Sequence, residues 1–401
     1  MKGMIQIFCV AASLGAAAAC AQLGSQQSDV SNPPSSSPVA YVYVSRPTHI
    51  DGFAASSSGV LTPVPGSPFA NTSADDMSVT KKFLFSATSG GGGDSVVSYS
   101  IDSKGSLTKI GSVNPLHYEA DNCAMFVDYP DLQVDSTGST LYVQENPDCD
   151  TAAYLSFHIE SNGDMQYLGD SGGYIDDATQ GNTARLHFTG PGKFGYDGEC
   201  QEDNNNLSDI NIYKRESNGA VTYIGQSNEV PAPGASGKPY CAGLLATDGE
   251  SHLAVALQRI DSQTGDNGPL TGPYFLASYT ADSNGNLSTT STAENMPEAT
   301  FVGDYAVGAM SIDPTSKFLA VGGQGFEIYH FNGSSPITTY SSVLQSGTSF
   351  QSFGWDKSNH LFALGGGKLY VYTVTSSSIK EASGSPYSIP ESGQVIVLDL
   401  D

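Results

Sequence analysis

Basic side chains are scarce in this chain of 401 residues: 16 Lys and Arg stand against 41 Asp and Glu, a formal net charge of −25. A phosphate backbone needs clustered cations to displace its counterions, so simple nucleic-acid binding is excluded. Adhesion to an anionic membrane through a broadly basic face is excluded on the same ground. Charge of either sign is sparse, at 14% of residues, while Gly, Pro and Tyr number 45, 21 and 21. Few charges with many aromatics are the opposite of a disordered composition. No stretch after residue 38 carries a capped helical period of apolar residues, which argues against α and α/β folds. Neither Cys-x-x-Cys nor His-Glu-x-x-His occurs, which removes the common zinc spacings. The glycine run Ser89-Gly-Gly-Gly-Gly-Asp94 joins two expected strands rather than a strand and a helix, so it is no phosphate loop.

What is present begins with an export signal over 1–19. Lys2 supplies one positive charge, and an apolar stretch follows from Met4 to Ala19, too short and small-sided for a membrane span. Two readings of its end stand side by side. Ala17-Ala18-Ala19-Cys20 resembles a bacterial lipobox with Cys20 acylated, and Ala19-Cys20-Ala21 fits ordinary small-x-small cleavage. The segment 20–38 is rich in Ser, Gln and Pro and reads as a flexible tether, which favours the lipidated form.

Residues 39–401 form one repeating array. The clearest unit is Ala309-Met-Ser-Ile-Asp-Pro-Thr-Ser-Lys-Phe-Leu-Ala-Val-Gly322: an apolar strand, a tight turn and a second strand. Second strands recur as Tyr41–Val44, Phe83–Phe85, Thr140–Val143, Phe194–Tyr196, His252–Val255, Phe318–Val321 and Leu361–Leu364. Each is followed by a third strand with period-2 alternation, a turn such as Ser103-Lys-Gly105 or Ser283-Asn-Gly285, and a fourth strand. Four antiparallel strands repeated along one chain imply a β-propeller, because each small sheet buries its faces only by stacking on its neighbours in a ring. The first unit lacks its first strand, and Gln394–Leu400 supplies one at the other end. The expectation is therefore an all-β, seven-bladed propeller of four-stranded antiparallel blades, closed by a C-terminal strand completing blade one.

The phrases Gly59-Val-Leu-Thr-Pro-Val-Pro-Gly-Ser-Pro-Phe69, Ala382-Ser-Gly-Ser-Pro-Tyr387 and Ile312-Asp-Pro-Thr-Ser-Lys-Phe-Leu319 resemble the lactonase-type, 6-phosphogluconolactonase-like seven-bladed propellers. The resemblance covers 39–401 and rests on strand ends and turns. It implies a lactone hydrolase working in the central channel. The enzyme members' Gly-Pro-Arg-His and Cys-His-Ser phrases are absent here, and Ala184-Arg-Leu-His187 is out of register with them. The chain reads as a divergent member to which no catalytic residue carries over.

Beyond Cys9 and Cys20, four cysteines remain. On the strand map Cys123, Cys149, Cys200 and Cys241 all fall on one face, in loops entering first strands or leaving second strands. Disulfides Cys123–Cys149 and Cys200–Cys241 are expected in an exported chain, with four separate thiols or a zinc site as alternatives. The loops of that face also carry Glu119, Asp121, Glu145, Asp148, Asp150, Asp197, Glu199, Glu202 and Asp203. Asp197, Glu199, Glu202 and Asp203 form a candidate Ca²⁺ cluster, against the alternative of a solvated acidic loop. No other cofactor is expected.

Candidate catalytic residues are few. Arg185 and His187 alternate on the first strand of blade four, with His as a possible base and Arg as a carbonyl or carboxylate ligand. Asp131 and Gln133 occupy the equivalent positions in blade three, and His117 and Glu119 lie in the loop entering it; these four are candidate ligand-binding residues. The sequence thus points to an exported monomer at the periplasm or outer-membrane surface, touching the membrane only through its lipid or else secreted. Its expected role is a binding or scaffold module for a protein or glycan of the cell envelope. The alternative is a hydrolase acting on a small lactone.

Overall fold

The computed structural model describes residues 37–88, 95–118, 131–144, 154–172, 185–189, 192–199, 209–227, 240–260, 270–299 and 308–400. The expected signal, Cys20 and all but the last two residues of the tether lie outside them, as do Cys123, Cys149 and Cys200. Everything described belongs to the unit Ser37–Asp401.

The repeating sheet is plain in the strands Asp76–Val79, Phe83–Thr88, Ser95–Ile101 and Leu107–Val113, each antiparallel to the one before. Burial falls from the inside outwards. Phe83–Thr88 has five of six residues buried, whereas Leu107–Val113 has no buried residue. That gradient is what a radial blade requires, since its outer edge alone meets water. The turns are set by aspartates. Asp135 Oδ1 accepts from the backbone N–H groups of Ser139 and Thr140 at 2.9 and 3.2 Å. Asp313 Oδ1 accepts from Lys317 and Phe318 at 2.7 and 2.6 Å, and Asp356 Oδ1 from Ser358 and His360 at 2.9 and 2.8 Å. A short carboxylate folds the chain back on itself in this way wherever the repeat places an Asp after the first strand.

Neighbouring blades are locked by tyrosines. The hydroxyls of Tyr43, Tyr142 and Tyr196 donate to the carbonyls of Gly105, Gly219 and Gly285 in the next blade, at 2.9, 2.7 and 2.9 Å. Each acceptor glycine closes a tight turn with positive φ, +89° at Gly285, where a Cβ would sit 2.5 Å from the Phe194 ring. The glycine is demanded twice, by the backbone and by the contact. Apolar clusters fill the spaces between blades; one joins Tyr41, Tyr43, Phe69, Met77, Leu84, Tyr99 and Leu398 across the point of closure.

Closure takes place where the repeat arithmetic puts it. Val395–Asp399 runs antiparallel to Ala40–Ser45, with Val42 opposite Val397. Gln394 N donates to Ser45 Oγ at 2.8 Å, and Ser45 N to Gln394 O at 2.9 Å. The expectation of seven separate blades is corrected. Among the described residues the strands assemble into six hydrogen-bonded sheets, because the last two repeat units share a single eight-stranded sheet. The junction is the pairing of Phe318–Asn332 with Leu344–Trp355, through Gln324 opposite Ser349 and Phe326 opposite Leu344. Phe318–Asn332 is long because it takes in both the second and the third strand of its unit, folded back so that Phe331 N donates to Lys317 O at 2.8 Å, and Leu344–Trp355 because a connecting stretch runs straight into the first strand of the next unit. The connecting stretch pairs back onto the turn between the second and third strands of the preceding unit, so its backbone groups find partners there.

Candidate functional site

The innermost strands bring one repeat position together around the axis. Pairing sets Val79 opposite Leu84, Val134 opposite Leu141 and Phe188 opposite Gly195. Counting back three residues from each inner-strand residue gives Asp76, Asp131 and Arg185. These lie in three consecutive repeat units and converge. Arg185 Nη2 donates to Asp76 Oδ1 at 2.6 Å and to Asp131 Oδ1 at 2.8 Å, and its Nε donates to Asp131 Oδ1 at 3.3 Å. The same position in the closing strand is Gln394, and in the strand before it Ser352. Here the side chains bond to the next inner strand's backbone: Asp76 Oδ2 accepts from Leu132 N at 2.7 Å, Gln394 Oε1 from Met77 N at 2.5 Å, and Ser352 Oγ from Val395 N at 3.0 Å. Two residues further along, Ser78 Oγ accepts from Val134 N at 3.0 Å. Inner strands lack a backbone ladder to each other, so polar side chains complete the girdle.

The electrostatics of this girdle decide what it can do. Burial raises the Asp76 carboxyl to about 7, against the opposing pull of the Arg185 guanidinium. Burial works against the charge on Arg185, but Asp131 and Asp76 outweigh it and hold the guanidinium protonated. Burial first, and then the nearby Arg185, push His187 down to about 3, so its imidazole is neutral at physiological pH. His187 Nε2 and Asp131 Oδ2 are buried without a hydrogen-bond partner. Arg185 remains 31% exposed, beside carboxylates exposed by only 8% and 9%. The guanidinium is thus the most solvent-exposed member of the group.

Of the residues singled out by sequence, Arg185, His187 and Asp131 meet here. Gln133 is next to them, but its amide turns onto the Val134 carbonyl at 2.8 Å. His117 ends a short 3-10 turn, Pro115–His117, and its side chain is exposed. Glu119, Glu202 and Asp203 lie outside the described residues. Asp197 does not stand in a solvated loop. It is in the strand Phe194–Glu199 and fully buried, and it accepts from the Tyr154 hydroxyl at 2.8 Å; burial raises its carboxyl to about 6. Glu199 ends that strand and Cys241 is the second residue of the strand Tyr240–Thr247, but their side chains are outside the described set. Among the described residues Asp248, Glu250 and His252 come close enough to hold a metal ion. However, His252 Nδ1 shares a hydrogen bond with Asp248 Oδ2 at 2.8 Å. The same pair recurs as His360 and Asp356 at 2.7 Å, which marks it as turn architecture.

Sequence reasoning missed Asp76, Gln394 and Ser352. A signal for Asp76 was available: Asp76-Met-Ser-Val79 aligns with Asp131-Leu-Gln-Val134 and Arg185-Leu-His-Phe188 once the repeat is placed in register.

No sequence-family profile matches the chain, and no curated protein does. Solved structures do match. A Bacteroides fragilis protein named as a candidate 6-phosphogluconolactonase aligns over 92% of this chain and 100% of its own, with 12% identity and a TM-score of 0.54. A hypothetical selenium-binding protein from Sulfolobus tokodaii aligns over 90% and 94%, with 10% identity and a TM-score of 0.55. The periplasmic gluconolactonase of Pseudomonas aeruginosa aligns over 90% and 99%, with 13% identity and a TM-score of 0.41. Identities this low speak to architecture and not to activity. The chain has the β-propeller fold.

Proposed function

We propose that this protein is a binding propeller of the bacterial cell envelope, held there through Cys20, and that it presents the Arg185 end of its channel to a neutral or basic partner, a protein or a glycan. The observation that carries this reading is the state of Arg185. Its Nη2 and Nε are engaged by Asp76 and Asp131, so the three groups together bear one negative charge when both carboxyls are ionised. Lactone hydrolysis would need the guanidinium free to bind an oxygen of the substrate and a base able to take a proton. His187, pushed down to about 3, is a weak proton acceptor at neutral pH. A phosphorylated lactone would also meet a negative charge whenever Asp76 is ionised.

The connecting segments favour the same end. Gln144 N donates to Asp131 O at 3.0 Å, so the segments 119–130 and 145–153 both attach beside the girdle. They carry Glu119, Asp121, Glu145, Asp148 and Asp150. Long segments attached to a rigid scaffold are the usual seat of binding. The test is a panel of aldonolactones, phosphorylated and plain, assayed with the full-length protein, Arg185→Ala and His187→Ala. No turnover above the uncatalysed rate is expected from any of the three. Turnover by the wild type that either substitution abolishes would replace the binding reading with the hydrolase.

A further inference from the structure

At the other end of the inner strands, where Asp76–Val79 and Leu132–Val134 finish and Val397 joins the wall, a cavity of about 540 Å³ opens, a size typical of small-ligand sites. Lys81, Lys82 and Lys357 line it. They come from turns in two different repeat units, and among the described residues none of their ammonium groups has an ion-pair partner. Three carboxylates share the lining: Asp135, Glu160 and Asp399. Asp135 is neutralised by Arg215 at 2.6 Å. Asp399 Oδ1 accepts from the Lys357 backbone N–H at 2.9 Å. Three unpaired ammoniums therefore face two remaining carboxylates, in a chain whose net charge is −25. Cations that repel one another and lack partners converge on one concavity only against the general trend of this sequence. A concave wall focuses their field.

The geometry points to a second ligand site in this cavity, for a small multivalent anion bearing phosphate or carboxylate groups. The turn residue Ser136 adds a hydroxyl at the wall, a donor beside the ammoniums. The inner-strand segment from Asp76 to Val79 spans about 10 Å at the usual strand rise, so this site is separate from the Arg185 girdle and takes the opposite charge.

The probe is inorganic pyrophosphate, titrated calorimetrically into the full-length protein at low ionic strength. One saturable site is expected. Replacing Lys81, Lys82 and Lys357 together with Ala is expected to weaken it about tenfold, each exposed ammonium contributing a few-fold. Raising the salt should weaken it in the same direction. The lactone panel reads the Arg185 end and pyrophosphate reads this one, so failure of this site and failure of the binding-propeller reading are separable. The three lysines are surface residues, and an unchanged melting temperature verifies that the triple variant folds. Absence of binding, or equal binding by the triple variant, overturns the site. A second arm uses phosphatidylglycerol vesicles. Vesicle binding without pyrophosphate binding would show a lipid headgroup surface instead, and would overturn the small-ligand site.

Discussion

Asp76→Asn is the most informative single substitution, because the structure makes a signed and sized statement about this carboxyl. Asp76 is buried between inner strands, donates nothing, accepts from Leu132 N, and shares Arg185 with Asp131. Its carboxyl sits at about 7 in the folded chain, against about 3.9 when unfolded. The folded state binds the proton more tightly, so the stability this group contributes is fully present below about pH 4 and lost as pH rises through about 7. Between about pH 5 and about pH 8 the loss amounts to roughly 2 to 3 kcal/mol. With an unfolding entropy of about 0.8 kcal/mol/K for a unit of this size, that is a fall in melting temperature of about 3 °C. Asn keeps an oxygen for Leu132 N and leaves Asp131 to Arg185, but it has no proton to lose. Melting curves of wild type and Asp76→Asn across this pH range are the assay. The wild type should lose about 3 °C more than the variant on going from acid to alkaline buffer. Asp197, raised to about 6 by burial, adds a loss of the same sign to both proteins and cancels in the comparison. Parallel curves for the two proteins would refute the assignment, whatever their absolute melting temperatures.

Two further outcomes follow from the packing between blades. Tyr196→Phe removes a buried hydroxyl that donates to Gly285 O at 2.9 Å and leaves that carbonyl short of a partner; a loss of about 1 to 2 kcal/mol is expected from denaturant unfolding. Ending the chain at Gly393 removes Gln394 and the strand Val395–Asp399, exposing the edge of Ala40–Ser45 and leaving Met77 N without its acceptor. That chain should be recovered as aggregate rather than as monomer on size-exclusion chromatography, since an uncovered edge strand templates association; a soluble monomer with native circular dichroism would contradict it.

The legible part of this protein was periodic. Alternation in Val96–Ile101 or Tyr154–Ile159, Gly at the turns and Asp after first strands are local rules, and each repeats often enough to be read without coordinates. The closing strand was legible for the same reason, as a missing member of a counted set. Two things were not legible. The fusion of the last two repeat units depends on Leu344 and Ser349 pairing back onto Phe326 and Gln324, and a pairing between a connecting stretch and a turn carries no periodic signal. The placement of Asp197 misled because Asp197-Gly-Glu-Cys-Gln-Glu-Asp looks like one acidic run, whereas the strand ends inside it. A charged residue becomes a buried one at that point because Tyr154, in another repeat unit, supplies its hydrogen bond.

Sequence alone determined the blade chemistry, the turns and the latch of tail to head, because those depend on residues close together in the chain or on a repeated pattern. Only the tertiary structure decided that Asp76, Asp131 and Arg185, drawn from three repeat units, share one guanidinium, and that Lys81, Lys82 and Lys357 face one cavity. The physical reason is closure. A ring brings equivalent positions of distant segments within hydrogen-bonding distance around its axis. What a side chain is worth there depends on the charges that the other segments bring to the same place.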